Sequence, residues 1–234
     1  MLVVFDLEGT LVNGELFPEV GRRLGNGDLL AKITSLAMNG SLEFEEAFFR
    51  RLKLIQGAPI DLVKEICLQL PLFSGAQETV KDLKDLNCQL AISTGSFDLL
   101  AKRVAAKLGI KHVLSNKFIT ERGTIVSVKN PVVTPEAKAT YLMKLAKRYG
   151  TKLERCGAVG DGANDIPMMK AAGLSVGFNP KKAVEKIADV IVRGDDLRGI
   201  VPYIKNVQKR LEHLMGAQET DGNTIHVVSH IHAH

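Results

Sequence analysis

The sequence predicts an α/β protein with a mostly parallel sheet and a small helical segment inserted after the first strand. Short apolar runs alternate with longer amphipathic stretches, which is typical of parallel strands connected by helices. The first run, Leu2–Phe5, contains no polar residue, as expected of a strand buried on both faces. From about residue 15 to residue 70, apolar residues repeat at helical spacing without an intervening strand.

The inserted segment is predicted to contain at least two helices. One carries apolar residues at three-to-four spacing: Phe44, Phe48, Phe49, Leu52 and Ile55. Proline at residue 59 can occupy the first position of another, whose apolar residues are Leu62, Val63, Ile66 and Leu70. The insertion is expected to end around residues 71–75, in Pro-Leu-Phe-Ser-Gly.

After the insertion, helices and strands alternate. We expect helices near 76–86 and 97–108 around a strand at 88–93, then a β-hairpin over 117–128 with Arg122-Gly123 in its turn. Thr134 is a predicted N-cap and Pro135 the first residue of a helix to about Tyr149. Strands at 156–159, 174–178 and 189–192 then alternate with helices near 163–172, 181–187 and 196–212, on both faces of the sheet.

These boundaries divide the chain into three parts. Residues 1–13 and 74–212 form the predicted core, residues 14–73 the predicted helical cap, and residues 213–234 a polar tail. The tail contains His226, His230, His232 and His234. Such a run can chelate soft divalent metals, but a frayed or processed tail is the favoured interpretation because nothing around it could build a pre-organised site.

Composition excludes several classes of function. The 234 residues carry a net charge of +5, but aromatic residues are only 5%, and no Lys/Arg block is interleaved with them, so nucleic-acid binding is not expected. No apolar run approaches the roughly 20 residues of a membrane span. The odd set Cys67, Cys88 and Cys156, without a signal-peptide pattern, predicts buried thiols and a cytoplasmic location.

Two pairs of acidic residues follow two apolar runs. Asp6 and Glu8 come after the first strand, and Asp161 and Asp165 after the strand at 156–159. Ligands of an open α/β sheet bind where the strands end, so we expect these carboxylates to converge. A hard cation such as Mg²⁺ would relieve their repulsion.

The first pair suits phosphoryl transfer. Asp6 can attack phosphorus to give an aspartyl-phosphate, while Glu8 is placed to protonate the leaving oxygen and later to activate water. Gly9 allows a sharp turn, and the Thr10 hydroxyl can orient the loop or contact phosphate. Taken alone, Asp-Leu-Glu-Gly-Thr is weakly specific, since it is also an ordinary turn after a strand.

The second pair suits metal binding. Asp161 is the predicted direct ligand, with Asn164 and Asp165 holding it and its waters. The alternative, an acidic N-cap of a helix, explains one carboxylate but not two.

Two further segments fit an anionic substrate. Ser93-Thr94-Gly95-Ser96 is predicted to end a strand and open a helix, where its hydroxyl and N–H groups suit a phosphate oxygen; for Ser96 a simple helix cap is equally favoured. Lys138 falls in the first turn of the helix opened by Pro135, where a cation opposes the helix dipole by about 0.3–1 kcal/mol. Taken alone, it is better interpreted as a surface lysine beside Glu136.

In this order, the four segments resemble the motifs of the haloacid dehalogenase superfamily of phosphohydrolases. The match spans about residues 2–208, with Asp6, Thr94, Lys138 and the pair Asp161 and Asp165 at the motif positions. The resemblance implies a Rossmann-like core with a cap domain. It also implies Mg²⁺ bound by Asp6, the backbone carbonyl of Glu8, and Asp161.

Within that superfamily the chain is most similar to phosphoserine phosphatases. The segments FDLEGTLVNGE, LEFEEAFFRRLKLIQ and GDGANDIPM carry this similarity. It implies that Glu15 contacts a substrate amino group and Arg51 a substrate carboxylate. It further places Met38 and Phe44 over the substrate, Asn164 among the substrate-binding residues, and Thr94, Gly95 and Lys138 against the phosphate. Taken alone, Arg51 is better interpreted as a helix-surface arginine and Glu15 as an acid at a helix N-terminus.

The chain departs from most of these phosphatases at Glu8, where they have Asp, and at Thr94-Gly95-Ser96, where they have Ser-Gly-Gly. Relatives resembling phosphoserine:homoserine phosphotransferases also carry Asp-x-Glu-Gly. The leading hypothesis is Mg²⁺-dependent hydrolysis of a small phosphorylated amino acid, above all O-phosphoserine, by a monomer or homodimer. The alternatives are phosphotransfer to an alcohol such as homoserine, hydrolysis of another small acidic metabolite, and an inactive relative that binds a phosphorylated ligand or a protein.

Overall fold

Six parallel strands form the central sheet of the computed structural model, which describes residues 1–210. The strands of the chain are β1 (Leu2–Phe5), β2 (Gln89–Phe97), β3 (His112–Asn116), β4 (Phe118–Glu121), β5 (Thr124–Val128), β6 (Cys156–Gly160), β7 (Leu174–Phe178) and β8 (Val190–Val192). The sheet has the order β3-β2-β1-β6-β7-β8, whereas β4 and β5 form a separate antiparallel hairpin. The predicted mostly parallel sheet is therefore confirmed.

Helices connect the strands much as the sequence predicts. They are α1 (Leu16–Leu24), α2 (Gly27–Met38), α3 (Phe44–Ile55), α4 (Ile60–Gln69), α5 (Ala76–Asp85), α6 (Asp98–Leu108), α7 (Pro135–Arg148), α8 (Ile166–Ala171) and α9 (Lys182–Glu185). A 3-10 turn at Leu197–Ile200 leads into helical residues 201–210. Thr134 caps α7 as predicted, because its hydroxyl accepts a hydrogen bond from the Ala137 N–H at 3.2 Å.

Helices cover both faces of the sheet. Successive residues of a strand point to opposite faces, so alternate residues of β1 belong to different buried clusters. Val3 and Phe5 of β1 belong to a buried cluster that also contains residues of α5 and α6. Leu2 and Val4 belong to a second cluster, with residues of α7 and α8. This arrangement explains why β1 reads as an unbroken apolar run.

Helices α1 to α4 occupy the segment predicted as the cap. The chain leaves and rejoins the sheet at adjacent points: the Asn13 N–H donates to the Pro71 carbonyl at 2.9 Å, and the Phe73 N–H to the Leu11 carbonyl at 3.0 Å. On α3, Phe48, Leu52 and Ile55 are buried, whereas Phe49 is 44% exposed. The division into domains at residues 14 and 73 stays a prediction.

Strand β3 and the end of β2 differ from the prediction. No strand was predicted at His112–Asn116, because this stretch offers only Val113 and Leu114 as apolar signal. Strand β2 continues to Phe97 instead of ending at residue 93, and its register with β3 shifts between Ser93 and Phe97. Ser93–Ser96 is thus an irregular stretch of strand, and α6 begins only at Asp98.

Two smaller predictions can be compared with the described residues. Cys67, Cys88 and Cys156 are buried thiols outside any disulfide, as expected. Within residues 1–210, no helix combines the length and apolar character needed to cross a membrane. The proposed tail and its histidines, like the predicted end of the last helix at residue 212, lie outside the described residues.

Candidate active site

A crevice opens at the carboxyl ends of the central strands. In the sheet, β2 and β3 lie to one side of β1, and β6 lies next to β1 on its other side. In register, Phe5 of β1 lies between Ile92 and Val159. Asp6, Thr94 and Asp161 therefore follow three neighbouring strand positions at the point where open α/β sheets bind ligands.

Three carboxylates meet at this point. Asp6, Asp161 and Asp165 are buried and offer oxygens that all lie within 4.8 Å of one another. Burial and the neighbouring carboxylates raise the pKa of Asp6 to about 6 and that of Asp161 well above its ordinary value. Among the described residues, Asp161 Oδ1 has no hydrogen-bond partner. A buried set of oxygens with an unsatisfied acceptor fits a divalent cation that prefers oxygen ligands.

Lys138 is buried between two of these carboxylates, so its interpretation as a surface lysine is wrong. Its side chain is 1% exposed, and Nζ donates to Asp6 Oδ1 at 2.7 Å and to Asp165 Oδ1 at 2.5 Å. Burial alone would lower the pKa of Lys138, but the charges of Asp165 and Asp6 outweigh that effect and raise it. Lys138 therefore remains a cation in the centre of the acidic cluster.

Asp165 also holds the loop that carries Asp161. Its Oδ2 accepts hydrogen bonds from the N–H groups of Asp161 and Gly162, both at 3.1 Å. One carboxylate oxygen thus orders the loop while the other binds Lys138. Asp165 therefore holds the backbone that carries Asp161, while its role beside a bound metal stays a prediction.

Gly9 permits the close approach of Asp161 to the first loop. Its φ is +76°, and a Cβ at this position would lie 2.5 Å from Asp161 Oδ2. Gly25 has nearly the same φ, +79°, but a Cβ there would meet no atom of residues 1–210 within 4 Å. An alanine at either position would strain the backbone, but only an alanine at residue 9 would also crowd the Asp161 carboxylate.

We expect Gly9→Ala to lose more stability than Gly25→Ala, and to weaken binding of a divalent cation. Backbone strain should cost each variant about 1–2 kcal/mol, and displacing the Asp161 carboxylate should add about 1–3 kcal/mol for Gly9→Ala. Urea unfolding and calorimetric cation titration of both variants would measure this. Equal losses in the two variants would contradict the packing assigned to Gly9.

The Glu8 carboxylate lies apart from the acidic cluster, although four converging acidic side chains were expected. Its Oε1 accepts a hydrogen bond from Ser96 Oγ at 2.7 Å and from the Leu16 N–H at 3.0 Å. Burial raises the pKa of Glu8 to about 7. The Glu8 carboxyl group therefore lies in the wall of the cavity, next to the start of α1, and outside the acidic cluster.

Arg51 points inward, so its interpretation as a surface residue is also wrong. It is 8% exposed, and its guanidinium lies 4.8 Å from the ring centre of Phe17. Its Nε donates to the Ala47 carbonyl at 3.1 Å and its Nη1 to Thr34 Oγ1 at 3.3 Å. Burial lowers the pKa of Arg51, against the opposing effect of Glu8 and Glu15. Ala47, Thr34 and Phe17 thus hold the Arg51 side chain in place, and the charges that act on it are those of Glu8 and Glu15.

A cavity between the inserted helices and the sheet brings the predicted substrate residues together. Its walls include the following predicted residues: Asp6, Glu8, Glu15, Met38, Phe44, Arg51, Thr94, Gly95 and Asn164. Phe44 closes over Gly95, where a Cβ would lie 3.0 Å from the ring. Of the acidic cluster only Asp6 lies in the wall of this cavity as described; Lys138, Asp161 and Asp165 are not among its lining residues, and Lys138 contacts the wall through Asp6.

Four polar residues in or near the cavity are Glu15, Asn164, Thr10 and Thr34. Glu15 is the N-cap residue of α1 without a side-chain capping bond, and burial raises its pKa. Asn164 Oδ1 is buried without a partner among the described residues, as is the hydroxyl of Thr10, which does not line the cavity. Thr34, like the apolar wall residues Phe17 and Ala37, was missed, since nothing in its local sequence distinguishes it from other helix residues.

Comparison with known proteins places this geometry in a family. A model of the haloacid dehalogenase-like hydrolases matches residues 1–173. A phosphoserine phosphatase of Methanocaldococcus jannaschii is 38% identical over 205 residues, covering 87% of this chain and 97% of that protein.

Solved structures agree with the sequence comparison. A phospho-aspartyl intermediate analogue of phosphoserine phosphatase superposes with a TM-score of 0.84 at 38% identity, over 87% of this chain and 98% of that one. A substrate-bound phosphoserine phosphatase complex gives 0.84 at 37% identity, over 87% and 97%. The chain belongs to the haloacid dehalogenase-like hydrolases.

Proposed function

We propose that this protein hydrolyses O-phosphoserine through a phosphorylated Asp6. The observation that carries the proposal is the composition of the cavity, because Arg51 and Glu15 of the inserted segment line it together with Asp6. A buried cation, Arg51, and a half-buried carboxylate, Glu15, in one cavity suit a substrate with both charges. The names of the relatives add independent support, since two of the solved structures are phosphoserine phosphatases.

Each group of phosphoserine has a matching side chain. The Arg51 guanidinium can bind the substrate carboxylate through two parallel hydrogen bonds. Glu15 can accept from the ammonium group, and Met38 and Phe44 provide apolar cover. The Asn164 carboxamide, whose Oδ1 lacks a partner in the described residues, is available to the same ligand.

The phosphate would lie between Asp6 and the irregular end of β2. The Thr94 hydroxyl accepts a hydrogen bond from the Ser96 N–H at 3.0 Å, so its own proton is free to bind a phosphate oxygen. Since Lys138 donates to Asp6 Oδ1, the other oxygen, Oδ2, is the one available to attack phosphorus. Lys138 also offsets the charge that accumulates when a carboxylate approaches a phosphate.

The reaction would proceed in two steps. In the first, a bond forms between Asp6 Oδ2 and phosphorus, the bond to the serine oxygen breaks, and Glu8 gives that oxygen a proton. In the second, Glu8 takes a proton from water, which attacks the phosphorus and releases Asp6 and phosphate. Mg²⁺ would be held by Asp6 and Asp161 of the acidic cluster and, as the family resemblance implies, by the backbone carbonyl of Glu8. When bound, the ion would neutralise part of the phosphate charge.

Phosphate release from a substrate panel tests the proposal. We expect release from phosphoserine with Mg²⁺, strongly reduced release from phosphoethanolamine and phosphoglycerate, and none with excess chelator. Phosphoethanolamine lacks the carboxylate that Arg51 would bind, and phosphoglycerate lacks the ammonium group that Glu15 would bind. Phosphoserine consumed only with added homoserine, without free phosphate, would show a phosphotransferase instead.

Arg51→Ala should impair phosphoserine hydrolysis selectively. Loss of a buried charged partner costs about 2–5 kcal/mol, so kcat/KM should fall by at least ~30-fold. Arg50→Ala is the matched control, because the Arg50 side chain is exposed and pairs with Glu46 on the helix surface. With phosphoethanolamine, both variants should resemble the wild type. Equal effects of the two substitutions on phosphoserine would remove the carboxylate-binding role of Arg51.

A further inference from the structure

Ser96 makes a buried hydrogen bond to Glu8. The two residues are 88 positions apart in the chain, yet Ser96 Oγ donates to Glu8 Oε1 at 2.7 Å. Ser96 is 6% exposed, and both side chains line the substrate cavity. The interpretation of Ser96 as a helix cap is wrong, since the N-cap of α6 is Phe97 and has no side-chain capping bond.

The geometry of this contact selects one oxygen of the carboxyl group. Ser96 Oγ and the Leu16 N–H both donate to Oε1, one from β2 and one from the start of α1. Two donors on Oε1 favour a proton of the neutral carboxyl group on Oε2. The contact therefore fixes both the rotation of the side chain and the oxygen that can exchange a proton.

A glutamate needs such a contact more than an aspartate does. It has one additional rotatable bond, and its conformational freedom opposes a fixed position beside the substrate. A displacement of about 1 Å at a reacting group can cost ~10²-fold in rate. A second hydrogen bond to Oε1 restricts this freedom.

We propose that Ser96 is a positioning residue that aims Glu8 Oε2 at the leaving oxygen of the substrate. The inference rests on the proposed function, in which Glu8 gives a proton to that oxygen as the bond to phosphorus breaks. Ser96 keeps its own proton throughout: its hydroxyl donates to Oε1, and the transferred proton leaves from Oε2. Ser96 thus acts through Glu8 without touching phosphorus.

The leaving group of the substrate provides the test. An alkyl phosphate requires protonation of a basic leaving oxygen, whereas p-nitrophenyl phosphate releases a stable phenolate. We expect Ser96→Ala to lower kcat/KM for phosphoserine by about 10- to 100-fold, and for p-nitrophenyl phosphate by less than about threefold. Ser96→Thr, which keeps the hydroxyl, should restore the value for phosphoserine to within about fivefold of the wild type. Equal losses on both substrates would overturn the proposal.

A double-mutant cycle tests whether Ser96 acts through Glu8. Aspartate is one methylene shorter than glutamate, so we expect Glu8→Asp to lose the 2.7 Å contact with Ser96 Oγ. Adding Ser96→Ala to Glu8→Asp should then change kcat/KM by less than about twofold. The same fold-loss in both backgrounds would show that Ser96 supports the strand and not Glu8. If the wild type hydrolyses p-nitrophenyl phosphate but not phosphoserine, the proposed function fails. The Ser96 comparison is then made with phosphoethanolamine, another alkyl ester, so the two failures are distinguishable.

Discussion

Asp6→Asn should abolish phosphoserine hydrolysis while leaving the fold intact. Removal of a covalent nucleophile reduces kcat by roughly 10⁴- to 10⁶-fold, and the amide cannot form the phosphoryl bond. The fold should persist because Asn has the size of Asp and its Oδ1 can still accept the hydrogen bond that Lys138 donates at 2.7 Å. Phosphate release and circular dichroism of the purified variant measure the two expectations.

Asp195→Asn is the matched control for this substitution. Asp195 is exposed and lies 30 residues beyond Asp165 in the chain. The Asp195→Asn variant makes the same change of charge and should turn over substrate at the wild-type rate. Turnover by Asp6→Asn at the rate of Asp195→Asn would mean that another residue attacks phosphorus.

Lys138→Met should destabilise the protein more than any other single lysine substitution on α7. The side chain is buried between Asp6 and Asp165, so its loss leaves two buried carboxylates without their cation. Breaking a buried ion pair in this way costs about 3–5 kcal/mol. The free energy of unfolding in urea, measured with chelator present, should fall by this amount. Turnover should be lost as well, because Asp6 loses the contact that orients it.

Lys144→Met provides the comparison on the same helix. Lys144 is exposed, and its substitution should change the free energy of unfolding by no more than about 0.5 kcal/mol. A Lys138→Met variant as stable as Lys144→Met would contradict the burial and pairing assigned to Lys138.

Local sequence predicts most of the fold because the sheet is buried on both faces. Strands β1 and β7 are fully buried; β1 is apolar throughout, and Ser175 is the one polar residue of β7. Strand β3 lies at the edge of the sheet, where four of its five residues are only partly buried, so it lacks that signal. The end of β2 could not be predicted because Asn116 of β3 holds it, donating from Nδ2 to the Gly95 carbonyl at 2.7 Å.

The acidic residues of the site could be predicted from their positions after strands, but the orientations of the basic residues could not. Lys138 meets Asp6 across 132 residues of chain, and its local helix position suggests only a surface charge. Arg51 is turned inward by Phe17 and Thr34, contacts that no spacing in the sequence reveals. Family resemblance supplied both assignments. The rotation of Glu8 toward Ser96 followed from neither source, because it depends on the loop after β1 meeting the irregular end of β2 in space.

Trapping the covalent intermediate tests the central claim most directly. Wild-type protein is mixed with [³²P]phosphoserine and Mg²⁺ and quenched in acid within one turnover. Label should then remain on the protein, map to the peptide that contains Asp6, and be released by hydroxylamine, as an acyl phosphate is. Asp6→Asn should retain no label. Release of labelled phosphate by the wild type without any protein-bound label, or label on a different residue, would contradict the account.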